Sequence, residues 1–76
     1  MNIDDVNVYF YLVKEIDYIK VTEQYEALYN DVINHLPQLP EESQQFMCKY
    51  IEDNLAGCEN KWAKLLLEFV NQKRES

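Results

Sequence analysis

Glycine occurs once in this chain of 76 residues, at Gly57, and histidine once, at His35. One glycine excludes a glycine-rich phosphate loop and the Gly-x-Ser-x-Gly turn of serine hydrolases, and one histidine excludes a His-Glu-x-x-His helix. Cysteine is confined to Cys48 and Cys58. Two cysteines and a histidine lack the paired close spacings of a zinc site, so no metal is expected. No targeting segment is visible, which makes the cytoplasm the expected location and keeps both thiols reduced. The longest apolar run, Val8–Val13 with tyrosine counted, is too short to cross a bilayer, and no membrane association is expected. Bases are scarce as well. Seven Lys and Arg stand against fourteen Asp and Glu, a formal net charge of −7, and such a balance builds no phosphate track, which excludes direct nucleic-acid binding.

Catalytic groupings are missing too. The adjacent pairs Asp4-Asp5, Glu41-Glu42 and Glu52-Asp53 point about 100° apart on a helix, away from any common reacting atom. His35 precedes Leu36 and Pro37, at a helix end where an imidazole serves as a capping group for the last carbonyls. Cys48 and Cys58 read as small buried hydrophobes, since the one cation beside Cys48, Lys49, is turned away by a helical step. The chain is therefore expected not to be an enzyme and to carry no cofactor.

What is present is a core. Hydrophobic residues make up 47% and aromatics 13% of the chain, well beyond a disordered acidic tail, and the length accommodates one domain spanning residues 1–76. The charge is unevenly placed: residues 1–42 hold nine acids against two bases, while residues 43–76 hold five of each. All the net charge thus lies in the first half, which favours a partner with a basic surface.

Helical periodicity divides the chain into four segments. The first, about Ile3 to Ile19, has Asn2 as N-cap and Asp4 and Asp5 in the dipole-favoured first turn. Its apolar arc takes in Ile3, Val6, Tyr9, Phe10, Leu12, Val13, Ile16 and Ile19. Val8–Val13 also has strand propensity, but the apolar face continues past Val13 at helical spacing and selects the helix. Thr22 is a candidate cap for the second segment, about Glu23 to Leu36, which buries Tyr25, Leu28, Tyr29, Val32, Ile33 and Leu36 and is ended by Pro37. The third starts at Pro40 and buries Phe46, Met47, Tyr50, Ile51 and Leu55. Gly57 offers a left-handed cap, and Trp62, Leu65, Leu66, Phe69 and Val70 form the face of the fourth.

The expected fold is all-α, a small monomeric bundle of four helices. Its core should contain Phe10, Val13, Leu28, Val32, Ile51, Trp62, Leu65 and Phe69. The alternative is three helices with one long unbroken C-terminal helix from Pro40 to Lys73, because Met47, Ile51, Leu55, Cys58, Trp62, Leu65 and Phe69 continue in phase through Gly57. Such a helix exposes an apolar seam that a homodimer would cover.

One pattern is left over. Asp4, Val8, Tyr11, Glu15 and Tyr18 follow steps of four, three, four and three, a second stripe opposed to the apolar arc. Tyrosines framed by acids suit a protein interface, where they bring large apolar area with a polar tip while the charges steer a basic partner. These five are the candidate partner-binding residues of a protein-binding module such as a small inhibitor, immunity factor, adaptor or secretion chaperone. The alternatives are a DNA-mimic regulator that presents carboxylates in place of phosphates, and a self-associating structural subunit.

Overall fold

Asn2 opens the first helix as its sequence suggests: its Oδ1 accepts the Asp5 N–H at 2.9 Å, and Asp4 and Asp5 occupy the first turn of α1, Ile3–Asp17. In this computed structural model, which describes residues 2–75, α1 is followed by the single turn α2, Ile19–Thr22, and by α3, Tyr25–His35. A 3-10 turn, Leu36–Gln38, leads to α4, Glu41–Leu55, and α5 spans Lys61–Glu75. Among the described residues all regular structure is helical.

The connections follow from local chemistry. Tyr18, at φ −97° and ψ 4°, leaves the helical region and separates α1 from α2. Glu23 then stops α2 in a left-handed conformation, φ 57°, its N–H donating to the Ile19 carbonyl at 2.7 Å. Thr22 does not cap α3. It lies inside α2, and its Oγ1 accepts the Gln24 N–H at 3.3 Å, closing the turn before α3 begins. At the other end of α3 the Asn34 carbonyl is bonded by Gln38 Nε2 at 2.7 Å. Gln44, buried in α4, donates its Nε2 to the carbonyls of Leu39 (2.7 Å) and Pro37 (3.3 Å), giving the α3–α4 connection the partners its enclosed carbonyls need.

The chain is not one helix from Pro40 to Lys73. Gly57 takes φ +79°, the Cys58 N–H returns to the Leu55 carbonyl at 3.0 Å, and Asn60 Oδ1 caps α5 by accepting the Trp62 N–H at 2.8 Å. An added Cβ at Gly57 would meet nothing within 4 Å, so its cost is purely one of backbone conformation. Gly57→Ala is expected to destabilise the fold by about 1 kcal/mol, lowering Tm by about 4–8 °C in a domain of this size. A thermal melt of the variant checks this, and a higher Tm would place Gly57 in a regular helix.

Each of α1 and α5 packs on both α3 and α4, so the four longer helices form a closed cycle α1–α3–α5–α4. The core they enclose contains Leu12, Ile16 and Ile19, then Leu28, Val32 and Leu36, then Met47, Cys48, Ile51 and Leu55, and finally Ala63, Leu66 and Val70. The radius of gyration, 11.5 Å, is that of a densely folded chain of this length, about 11 Å.

Leu28, Val32 and Ile51 are buried as the periodicity implies, and Val13 and Phe69 pack against the core at its margin. Trp62 is half-buried, its ring 5.5 Å from that of Tyr29. Phe10 and Leu65 are not core: they are 60% and 39% exposed. The buried face of α1 is centred on Leu12 and Ile16, with Phe10 turned two helical steps from Leu12, and that of α5 on Ala63, Leu66 and Val70, with Leu65 turned one step from Leu66. Phe46, one step from Met47, is likewise exposed.

Candidate functional site

Tyr11, Glu15 and Tyr18 leave α1 on one side, and the packing of α1 on α3 sets them opposite Ala27 and Asp31, one helical turn apart on α3. Thr22 and Gln24 close one end where the chain crosses between the helices. The result is an open groove of about 450 Å³ with aromatic walls and two carboxyls at its floor, and Lys14 also borders it. Tyr11 is 55% and Tyr18 58% exposed, on the flank of α1 one helical step round from its buried Leu12 and Ile16 and not on the face opposed to them.

The hydroxyl of Tyr11 donates to Asp31 Oδ2 at 3.2 Å, bridging the two helices. Glu15 is half-buried between them, and its Oε1 is enclosed without a donor. Burial, followed by the hydrogen bond and the charge that Asp31 presents, pushes the Glu15 carboxyl up to about 7. A proton on Glu15 lets the carboxyl donate to Asp31, which resolves the contact between two acceptors. The charges of Asp31 and then Glu15 also raise the Tyr11 phenol above its ordinary value.

This arrangement has a consequence for stability. The folded-state value of Glu15 lies above the ordinary 4.5, so folding favours the neutral acid. The contribution is complete below about pH 4.5 and is lost as the pH rises through about 7. Glu15→Gln, an uncharged counterpart of the protonated acid that can donate to Asp31, should match the parent's Tm at pH 4 and exceed it at pH 8. Melts of both proteins at the two pH values check this, and an equal difference at both would mean that Glu15 does not titrate in this window.

Of the five residues in the α1 stripe, the structure brings Tyr11, Glu15 and Tyr18 together in the groove. Asp4 stands exposed in the first turn of α1 and lines none of it. Val8 is half-buried, packs against the core and does not line the groove. Asp31, the second carboxyl of the floor, was not among the residues the stripe implied. Its pairing with Glu15 depends on how α1 crosses α3, for which no local pattern in the chain is a signal.

Elsewhere, exposed Phe46 borders two hollows. One, of about 380 Å³, lies between α1 and the start of α4 and is lined by Tyr9, Pro40, Glu42 and Ser43; the other, of about 360 Å³, lies between α4 and the end of α5 and includes Lys49 and Arg74. Cys48 is fully buried and Cys58 half-buried, both as thiols. Burial, reinforced by the Glu52 charge, pushes the Cys48 thiol up, the opposite of an activated nucleophile. His35 is the last residue of α3. Among the described residues there is no cluster of three or more His, Cys, Asp and Glu able to hold a metal ion, and no helix is long and apolar enough to cross a membrane. Comparison with known proteins returns no match, whether to a family model, a curated protein or a solved structure.

Proposed function

We propose that this chain is a non-enzymatic protein-binding module of the cytoplasm, a monomeric bundle of four helices that covers a basic surface of another protein with the groove face of α1 and α3. A small inhibitor, immunity factor, adaptor or secretion chaperone has this form. One observation carries the reading: two tyrosines more than half exposed flank a groove that holds the Glu15 and Asp31 carboxyls, one helical step round from the buried stripe of α1. Tyrosine supplies much contact area at little entropic cost, and acids at the margin steer a basic partner.

A carboxyl titrating near neutrality beside a second one also has the chemistry of an acid–base pair. The groove is open, however, and the hydroxyl that meets Asp31, that of Tyr11, has its pKa raised above the ordinary value and so is no activated nucleophile, which favours binding over turnover. The left-handed turn at Gly57 removes the continuous apolar seam that self-association through one long helix requires. A DNA mimic needs a run of carboxylates, and on this face the carboxyls alternate with tyrosines.

The test is capture of a partner from the native host by the immobilised protein, with identification by mass spectrometry and then measured association rates. Asp4→Lys should slow association at low salt and have little effect at high salt, because exposed charges are screened over about 10 Å at 0.1 M. A partner whose association ignores both Asp4 and salt would overturn the electrostatic part of the reading. The absence of any specific partner would overturn the whole.

A further inference from the structure

The groove holds two carboxyls, and the one cation that lines it, Lys14, is ion-paired with neither. Among the described residues the ion pairs are Lys49–Asp53, Lys64–Glu59 and Arg74–Glu52, and none includes Glu15 or Asp31. Asp31 has the Tyr11 hydroxyl as donor, whereas the buried Glu15 Oε1 has none. An enclosed acceptor of this kind is satisfied by taking up a proton, or by rotation of its carboxyl toward the groove, where a ligand can bring a donor.

Resting on the reading of this face as a protein interface, we propose that the groove seats one arginine side chain of a basic partner, its guanidinium lying against Glu15 and Asp31 between the rings of Tyr11 and Tyr18. The two tyrosines are seven residues apart on the helical path, about 10 Å along its axis, with Glu15 between them. A guanidinium is flat, weakly hydrated and rich in donors, so it can stack on a phenol ring while its N–H groups reach two carboxyls; an ammonium offers a compact, strongly hydrated charge. The excess of nine acids over two bases in residues 1–42 favours such a cation and repels a second copy of the same face.

The arginine competes with the proton on Glu15. The titratable and charged groups around that carboxyl are Tyr11, Lys14 and Tyr18 on α1 and Asp31 on α3. The crossing from α2 to α3 contributes the uncharged Thr22 and Gln24, and α4 meets α1 elsewhere, through the hydrogen bond from Tyr50 to Asp17. Seating the guanidinium requires ionised Glu15, which titrates at about 7. Affinity should then follow the ionised fraction and rise about tenfold from pH 6 to pH 8.

The experiment is a titration of the full chain, followed by NMR of the tyrosine rings, with N-acetyl-arginine amide and with the neutral N-acetyl-citrulline amide. Arginine should give saturable shifts at Tyr11 and Tyr18, about tenfold tighter at pH 8 than at pH 6, and citrulline none. Glu15→Gln should stay folded and lose the pH dependence. Equal shifts with citrulline, arginine binding that ignores pH in the parent chain, a pH dependence that survives in Glu15→Gln, or undisturbed rings would each overturn the proposal. If any of these occurs while partner capture still requires the two tyrosines, the arginine seat is wrong and the interface stands; if capture is indifferent to the tyrosines as well, both fall.

Discussion

Leu66→Ala is expected to cost about 2–5 kcal/mol, whereas Leu65→Ala, one residue earlier on the same helix, should cost about 1 kcal/mol. The two leucines share residue type, helix and neighbours in sequence. They differ in direction: Leu66 is 1% exposed within the cycle of helices, and Leu65 is 39% exposed on its outer side. Truncating Leu66 removes buried methyl groups and leaves a cavity that α3 and α4 fill only by moving. A chain of this size has a total stability of about 4–11 kcal/mol, of which about 2–5 kcal/mol is a large share. Urea unfolding of both variants reads the difference directly. Equal losses would mean that α5 is rotated by about a helical step from the orientation that buries Leu66.

The double variant Tyr11→Ser, Tyr18→Ser should weaken partner binding by about thirtyfold or more and leave the helical content unchanged. Large aromatics at the centre of an interface cost about 2 kcal/mol or more when truncated, and about 1.4 kcal/mol is one factor of ten. Both rings are more than half exposed in the single chain, and the one hydrogen bond lost with them, from Tyr11 to Asp31, is itself exposed. Folding therefore depends on them little. Circular dichroism of the variant, measured beside its affinity for the captured partner, separates the two roles. Lost helicity would assign the tyrosines to the fold, and undiminished affinity would move the interface to another face.

Features set by local chemistry were legible in the chain. Asn2 caps α1 and Gly57 turns left-handed because each depends only on residues within a few positions. Leu28, Val32 and Ile51 lie at the centres of their apolar faces, where any plausible packing buries them. The margins were not legible: Phe10, Phe46 and Leu65 lie on arcs that periodicity alone draws too wide, and the angle at which neighbouring helices approach decides which edge is covered. The break at Tyr18 carries neither glycine nor proline, and Glu23 takes a conformation usually left to glycine or asparagine, so nothing announced α2. Asn60 had a readable signal, an amide just before a helical run, which Gly57 overshadowed. At the groove, the aromatic wall could be read from one helix, but the acidic floor is made by two.

The position of Trp62 separates two optical signals. It is the only indole in the chain, it stands against Tyr29 where α5 meets α3, and it lines none of the groove. Its emission responds to the docking of α5 on α3 and so follows unfolding. Occupation of the groove instead perturbs the phenols of Tyr11 and Tyr18, whose ultraviolet absorbance shifts when a cation or a second ring lies against them. Excitation at the red edge, where only the indole absorbs, therefore gives a fluorescence record of folding that is largely independent of ligand, and a tyrosine difference spectrum gives a record of ligand from the same sample.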